Sequence, residues 1–461
     1  MTLTTEKLNR PVGWLEDTLA RGNLNIVAIV KLEGPELEMP RLEAAVAATQ
    51  RRHANLRVNL TADATHFVGV SGAAPVSVYT VSDETVLHSQ LRHLQHATLP
   101  LFSKLLPLWR IDSFRAEFIH ATVFCISIHH AVADGTSVYV LLNDILSAYT
   151  SPDSISPPLP FLADVASLSA QAFGPNLLDD NAVLNKLIAA RKTWKATLPT
   201  EIPPVQHDHD TRAKNAFFLR DIPADVFAQV LQRCHQERIT VGMLLLAALH
   251  FSVARIVSSK GQQLVFPWYF PHDLDVNLRR RFGNVMDLGK DHVGLLIGMM
   301  GIDVAIESKD DTLFDFARRI GNWMYEGLAA KLPHKYHVAN QRYDIEVGVP
   351  ITRTTDLNFS NVGVYPFRTE YGDLVVTEFH EVGVWCPAVG THVFLINTVN
   401  ERLCCSWVYE ESTENANVAK ELLDSVVDLL EHVPQLPTDF TLDEFLNIKY
   451  LVTGSKTWKM N

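Results

Sequence analysis

Apolar and polar positions along this chain follow two periods, and the switches between them mark out alternating strands and helices. Residues 25–32 form a β-rich apolar run. Residues 41–52 place Leu42, Ala45, Val46 and Ala48 near one face, which is helical spacing. Short strand-like runs at 65–70 and 76–81 precede a helical segment at 84–97. Residues 108–114 and 121–128 read as paired strands across the polar turn 115–120. From 137 to 149, Val138, Leu141, Leu142, Ile145 and Tyr149 recur with the spacing of a half-buried helix, with Thr136 or Ser137 suited to cap it.

Two proline-rich polar stretches, 150–160 and 198–210, then break the pattern around a helix at 184–197. The second half repeats the mixed character. A strand at 215–221 leads into a helix opened by Pro223, and 240–257 is a long apolar helix. Residues 264–269 and 293–306 read as strands, and 311–328 as an amphipathic helix. Strand patterns return at 357–364, 374–379 and 391–410, before a helix at 416–431. At 461 residues the chain exceeds one typical core. The division is an N-terminal domain at 1–180, a linker with a helix at 181–210, and a C-terminal domain at 211–461. Both are α/β, each a mixed sheet with helices on it.

Composition narrows the function. The formal charge of −12, with no basic stripe, argues against nucleic acid as a partner. The most apolar stretches carry His250, Arg255 and Asp303, so no membrane span is expected, and without a secretory leader pattern at the start a cytoplasmic protein is expected. Five cysteines, Cys125, Cys234, Cys386, Cys404 and Cys405, show no framework spacing and read as reduced thiols, the adjacent pair alternating across a strand.

The sharpest chemical feature is the run His129-His130-Ala131-Val132-Ala133-Asp134-Gly135, placed where an apolar strand ends and a helix begins. Such a junction holds side chains at a sheet edge on rigid backbone. A histidine there suits general-base work, because its ordinary pKa is near neutral. Asp134 is placed to brace the loop by pairing with an arginine or capping backbone donors, and Gly135 permits a tight turn or a close approach.

HHxxxDG resembles the signature of the chloramphenicol-acetyltransferase-like superfamily, which includes peptide-synthetase condensation domains and polyketide-associated and alcohol O-acyltransferases. Further stretches carry the likeness: Arg10 to Glu16, Trp194 with Leu198, Thr240 to Leu249, Val276-Asn277-Leu278-Arg279, and Asn358 to Gly363. Asn277 stands where the family has aspartate, and the plant branch's D-F-G-W-G is replaced by Asn358–Gly363. The resemblance implies two pseudo-symmetric domains with a tunnel between them. It makes His130 the catalytic base, Asp134 structural, and His129 and Gly135 supporting.

The reading that follows is an O-acyltransferase of specialised metabolism. It moves an acyl group from acyl-CoA or a carrier protein to a small-molecule alcohol, directly and as a monomer, without a cofactor. Ser137, Ser360 or Asn361 is expected to supply an oxyanion or tunnel contact, and Arg279, Arg280 and Arg281 to meet the donor's phosphates. The rivals are a condensation-type enzyme forming an amide or a ring in the same cleft, and a catalytically silent docking module. His207-Asp208-His209-Asp210 lies in the linker without a second ligand set, so no metal is expected.

Overall fold

A computed structural model of the chain describes residues 8–152, 156–193, 195–200, 214–283, 288, 291–347, 355–384 and 390–448. Trp194, Cys386 and the His207–Asp210 cluster lie outside these residues.

The first lobe opens with β1 (Asn9–Pro11), α1 (Trp14–Arg21) and β2 (Asn25–Glu33), an almost wholly buried strand. Next come α2 (Met39–Arg52), with Pro40 in its first turn where no N–H partner is needed, β3 (Val58–Leu60), β4 (His66–Gly69) and β5 (Val76–Val81). Asp83 caps α3 (Glu84–His96) by accepting from Val86 N. The hairpin β6 (Trp109–Ala116) and β7 (Ala121–His129) leads into α4 (Gly135–Thr150). Helices α5 (Val165–Phe173), α6 (Pro175–Leu178) and α7 (Asn181–Thr193) then cross to the second lobe.

That lobe runs β8 (Asn215–Ile222), α8 (Ala224–Glu237), α9 (Val241–Ser259), β9 (His272–Asn277), β10 (Ile297–Gly301), α10 (Leu313–Ala329) and α11 (Leu332–Val347). It continues through β11 (Leu357–Val364), β12 (Glu370–Tyr371), β13 (Leu374–Val384), β14 (His392–Val399), β15 (Arg402–Glu410), α12 (Thr413–His432) and α13 (Leu442–Asn447). Helix α9 is long and apolar enough to cross a bilayer, but 78% of that stretch is buried, and it forms the centre of this lobe's core.

The strands form two six-stranded mixed sheets, β12-β13-β2-β7-β6-β5 and β10-β9-β11-β14-β15-β8, and a small sheet β1-β4-β3. The expected architecture of two mixed sheets flanked by helices holds, but the division of the chain does not match the division of space. Strands β12 and β13 come from the C-terminal half yet pair into the N-terminal sheet, β13 lying antiparallel to β2 from Val375–Glu33 to Val384–Asn25. A hydrophobic cluster spans the two lobes at this crossing: Val27, Ile29, Val123 and Val382 pack with Phe217, Leu219, Val393 and Val408.

Several local expectations are corrected. Residues 264–269 make only a bridge at Trp268 to Ile306, since Pro267 has no N–H for a ladder. The strand is instead β9, where Leu274 and Val276 are buried and Asp273 and Asp275 face the other way. The 293–306 run narrows to Ile297–Gly301, and 391–410 is a hairpin turned by Asn400 and Glu401, both at positive φ. The 374–379 strand extends to Val384.

Candidate active site

Strand β7 lies between β2 and β6, and all of its residues are buried. The loop that leaves it is held as firmly. His130 N donates to Leu24 O at 2.8 Å, Val132 N to His129 O at 3.1 Å, and Ala131, Val132 and Ala133 are buried. Within this frame His130 Nδ1 lies 2.9 Å from Ala133 O. A carbonyl only accepts, so Nδ1 carries the proton and the lone pair is on Nε2. Burial holds the His130 pKa below the ordinary histidine value, although the Asp134 charge and the bond to Ala133 oppose this. The ring is therefore a neutral base near neutral pH.

Asp134 joins the two lobes. Its Oδ1 accepts from Ser137 N (2.8 Å), Ser137 Oγ (2.9 Å) and Arg279 Nη2 (2.8 Å); its Oδ2 accepts from Arg279 Nη1 (2.8 Å) and Leu296 N (2.9 Å). Burial alone would raise this carboxyl's pKa, but the charge and hydrogen bonds of Arg279 outweigh it and leave the pKa below the usual carboxylate value. Asp134 thus caps α4 and holds Arg279, and the arginine anticipated as its partner is identified. Asn277 supports the clasp by accepting from Arg279 N at 3.0 Å and donating to Thr136 Oγ1 at 3.0 Å.

The other predicted residues divide by position. Arg279 is not placed for donor phosphate, because its guanidinium is buried against Asp134; Arg280 and Arg281 are exposed. Ser137 is equally engaged, since its Oγ bonds Asp134, Gly294 O at 2.9 Å and Gly294 N at 3.0 Å. His129 is buried, with Nδ1 accepting from Ala131 N at 3.1 Å. Ser360 lines the His130 cavity and bonds Asp275. Asn361 lies at a bulge in β11 and accepts from Gly363 N at 2.9 Å. Gly135 has no left-handed backbone; the space its missing Cβ leaves is filled by the Glu381 carboxyl, 2.7 Å away, and Val362 at 3.1 Å.

The cavity at His130 measures about 40 Å³ and is lined from both lobes, by Asn25, Asp134, Gly135 and Glu381 on one side and Asp275, Ile297 and Ser360 on the other. Two of its carboxylates were not singled out from the sequence. Asp275 faces the cavity from β9, where burial raises its pKa to about 7. Glu381 faces it from β13, and burial with the like charge of Asp134 raises its pKa to about 8. The alternation Asp273, Leu274, Asp275, Val276 was a legible signal for Asp275. Glu381 had none beyond being a carboxylate in a strand otherwise rich in apolar residues.

The family described as Condensation domain matches residues 22–267, more than half of the chain. The chain belongs to the condensation-domain family. Its HHxxxDG run lies inside the matched residues, whereas Arg279, Asp275 and Glu381 lie beyond them. The nonribosomal peptide synthetase TES of Alternaria alternata is 30% identical over 143 residues, which is 28% of this chain and 3% of that protein's length. Among solved structures, the condensation domain of the monacolin K polyketide synthase MokA superposes with a TM-score of 0.69 at 15% identity, covering 94% of this chain and 99% of that one. Polyketide synthase associated protein 5 of Mycobacterium tuberculosis gives 0.68 at 15%, covering 92% and 98%. The EpoB cyclization-docking bidomain of Sorangium cellulosum gives 0.68 at 16%, covering 94% and 87%. At these identities the likeness is one of fold.

Away from the chamber of this condensation-family fold, Asp221, His380 and Cys404 bring their ligand atoms within 4.8 Å of one another at the lobe seam. His380 Nε2 and Arg402 both face Asp221, at 3.0 and 3.5 Å, so its charge is already balanced. Cys404 and Cys405 point to opposite faces of β15, one into each lobe's core. Burial raises the pKa of both thiols, and that of Cys125, far above the range of a reactive cysteine.

Proposed function

We propose that this protein transfers an acyl group from a thioester to an acceptor hydroxyl, with His130 as the general base. One observation carries the reading: a buried, neutral histidine whose tautomer is set by Ala133 O, in a cavity formed by both lobes. His130 Nε2 takes the hydroxyl proton as the oxygen attacks the carbonyl carbon. The tetrahedral adduct then collapses, the C–S bond breaks, and His130 returns the proton to the departing thiolate. A hydroxyl needs such a base because it is a weak nucleophile while protonated. A space of about 40 Å³ fits the reacting atoms rather than whole substrates. Asp273, two residues from Asp275 on the same face of β9, lines a second cavity of about 400 Å³, large enough for the body of a substrate. The donor is delivered on a carrier protein, as the family and the bidomain neighbour suggest, or as acyl-CoA.

The likeness to a nonribosomal peptide synthetase favours a second reading, in which the acceptor is an amine and the product an amide. The test for both uses an acyl thioester of N-acetylcysteamine with panels of alcohols and amines, following thiol release and product mass. His130→Ala is expected to lower the rate about 10²–10⁴-fold with an unchanged melting curve. A near wild-type rate in that variant overturns the assignment, and no thiol release with any acceptor favours a silent docking module. Direct transfer also predicts an unmodified intact mass after incubation with donor alone, because Cys125 packs on the opposite face of β7 from Ile126 and Ile128.

A further inference from the structure

The chamber holds a base, but none of the three side chains anticipated as its hydrogen-bond donor is free to serve. Ser137 is occupied at the lobe clasp, Ser360 bonds Asp275, and Asn361 lies at the β11 bulge outside the cavity lining. Glu381 is placed differently. It stands opposite Ala28 of β2, on the sheet face covered by α4, and its carboxyl rests against the first turn of that helix. It is 3% exposed and lines the same cavity as His130, and its Oε1 has no hydrogen-bond partner. Among the described residues no cation pairs with it; Arg279 is bound to Asp134.

A buried carboxylate with neither a cation nor a full set of donors is strongly disfavoured, and the usual resolution is to keep its proton. A protonated carboxyl is a hydrogen-bond donor. We propose that Glu381, as a neutral acid, is the donor of this chamber and holds the thioester carbonyl oxygen as it becomes the tetrahedral oxyanion. The proposal rests on the acyl-transfer reading above. Glu381 gains and loses no proton over the cycle; the proton that moves is the one His130 takes from the acceptor and gives to the thiolate. It also explains Gly135, since any Cβ there would meet the carboxyl.

The groups facing Glu381 are the Asp134–Arg279 pair, His130 and Asp275 around the cavity, and Tyr139 on α4. Burial and the Asp134 charge raise the Glu381 pKa to about 8. The positive end of α4 favours the ionised form and so acts against these two causes.

The experiment compares wild type, Glu381→Gln and Glu381→Ala from about pH 6 to about pH 9, counting only thiol release that His130→Ala abolishes. Removing the donor in Glu381→Ala is expected to lower turnover about 10²–10³-fold. Glu381→Gln keeps an N–H donor and is expected to retain turnover to within about tenfold of wild type. Wild-type turnover falls as pH rises through about 8, and this fall is absent in Glu381→Gln. A glutamine variant as impaired as the alanine one, or an alkaline fall unchanged by Glu381→Gln, overturns the proposal. A second measurement needs no substrate. Infrared difference spectra of wild type against Glu381→Gln should show a protonated-carboxyl stretch near neutral pH that bleaches as pH rises past about 8. Identical spectra overturn the proposal even if His130 proves to be the base.

Discussion

Asp134 and Arg279 are almost entirely withdrawn from water and are joined by two charge-assisted hydrogen bonds, one from each Nη of the guanidinium. Removing one partner strands the other, which costs about 3–5 kcal/mol for a buried pair. Asp134→Asn and Arg279→Ala are each expected to lose about that much in urea unfolding and to lose activity with it, because the clasp seats both the loop after His130 and the second lobe. The double substitution should cost clearly less than the sum of the two, since the stranded charge is then gone. Additive losses would mean that the pair does not act as a unit. An Asp134→Asn protein of normal stability without activity would instead place Asp134 in the chemistry.

At the scale of elements, β13 decides the site. It brings Glu381 to the chamber, and it lies so close to β2 that a Cβ on Gly383 would stand 2.2 Å from Asn25 O. Because that contact is with backbone in a buried sheet, the strands must separate to admit a methyl group. Gly383→Ala is expected to cost about 1–3 kcal/mol, the range of overpacked cores. It should also lower turnover under conditions where the variant stays folded, since Val382 and Glu381 are displaced with the strand. Wild-type stability and turnover in this variant would show that the end of β13 is not held against β2. The pattern did not reveal this strand's full length. Glu378, His380 and Glu381 are all buried, so polar residues sit on both faces, and a bulge between Val376 and Glu378 shifts the period.

Across the whole molecule, two sets of buried groups set the dependence of stability on pH. Glu381, Asp275 and Asp273 have pKa values raised to about 8, 7 and 6, so the folded state binds protons that the unfolded chain does not. Their contribution grows as pH falls from about 8.5 and weakens as it rises. His272 and His337 have theirs lowered to about 4 and His250 well below its ordinary value, so the unfolded chain binds protons first once pH drops below about 6.5. Each group contributes a slope of up to about 1.4 kcal/mol per pH unit within its window. The two sets oppose each other between about 6.5 and about 4; below that His250 and the ion-paired Asp134, Asp144 and Asp221, whose pKa values are lowered, still take up protons on unfolding, and stability falls. Melting temperature is expected to peak on the mildly acidic side of neutrality and to decline toward about pH 9, with a shallower decline in Glu381→Gln. A melting temperature that rises steadily from about pH 6.5 to about 9 would contradict the burial of these carboxyls.

Local pattern determined much of this protein. The apolar run ending at His129, the helix after Gly135 and the apolar length of α9 are written in short-range periodicity, which reports what each residue shares a face with along its own element. The chemistry of the loop was legible for the same reason: a histidine at a strand end and an aspartate at a helix start have roles that follow from their immediate backbone. Tertiary structure alone decided which arginine met Asp134 and that the run 279–281 would not act together. It also decided that a strand from the second half would close the first sheet and that an acid at 381 would face the base at 130. These are contacts between residues far apart in the chain, made only once two lobes pack. Their energetics depend on desolvation and close approach, quantities that spacing along a single element does not carry.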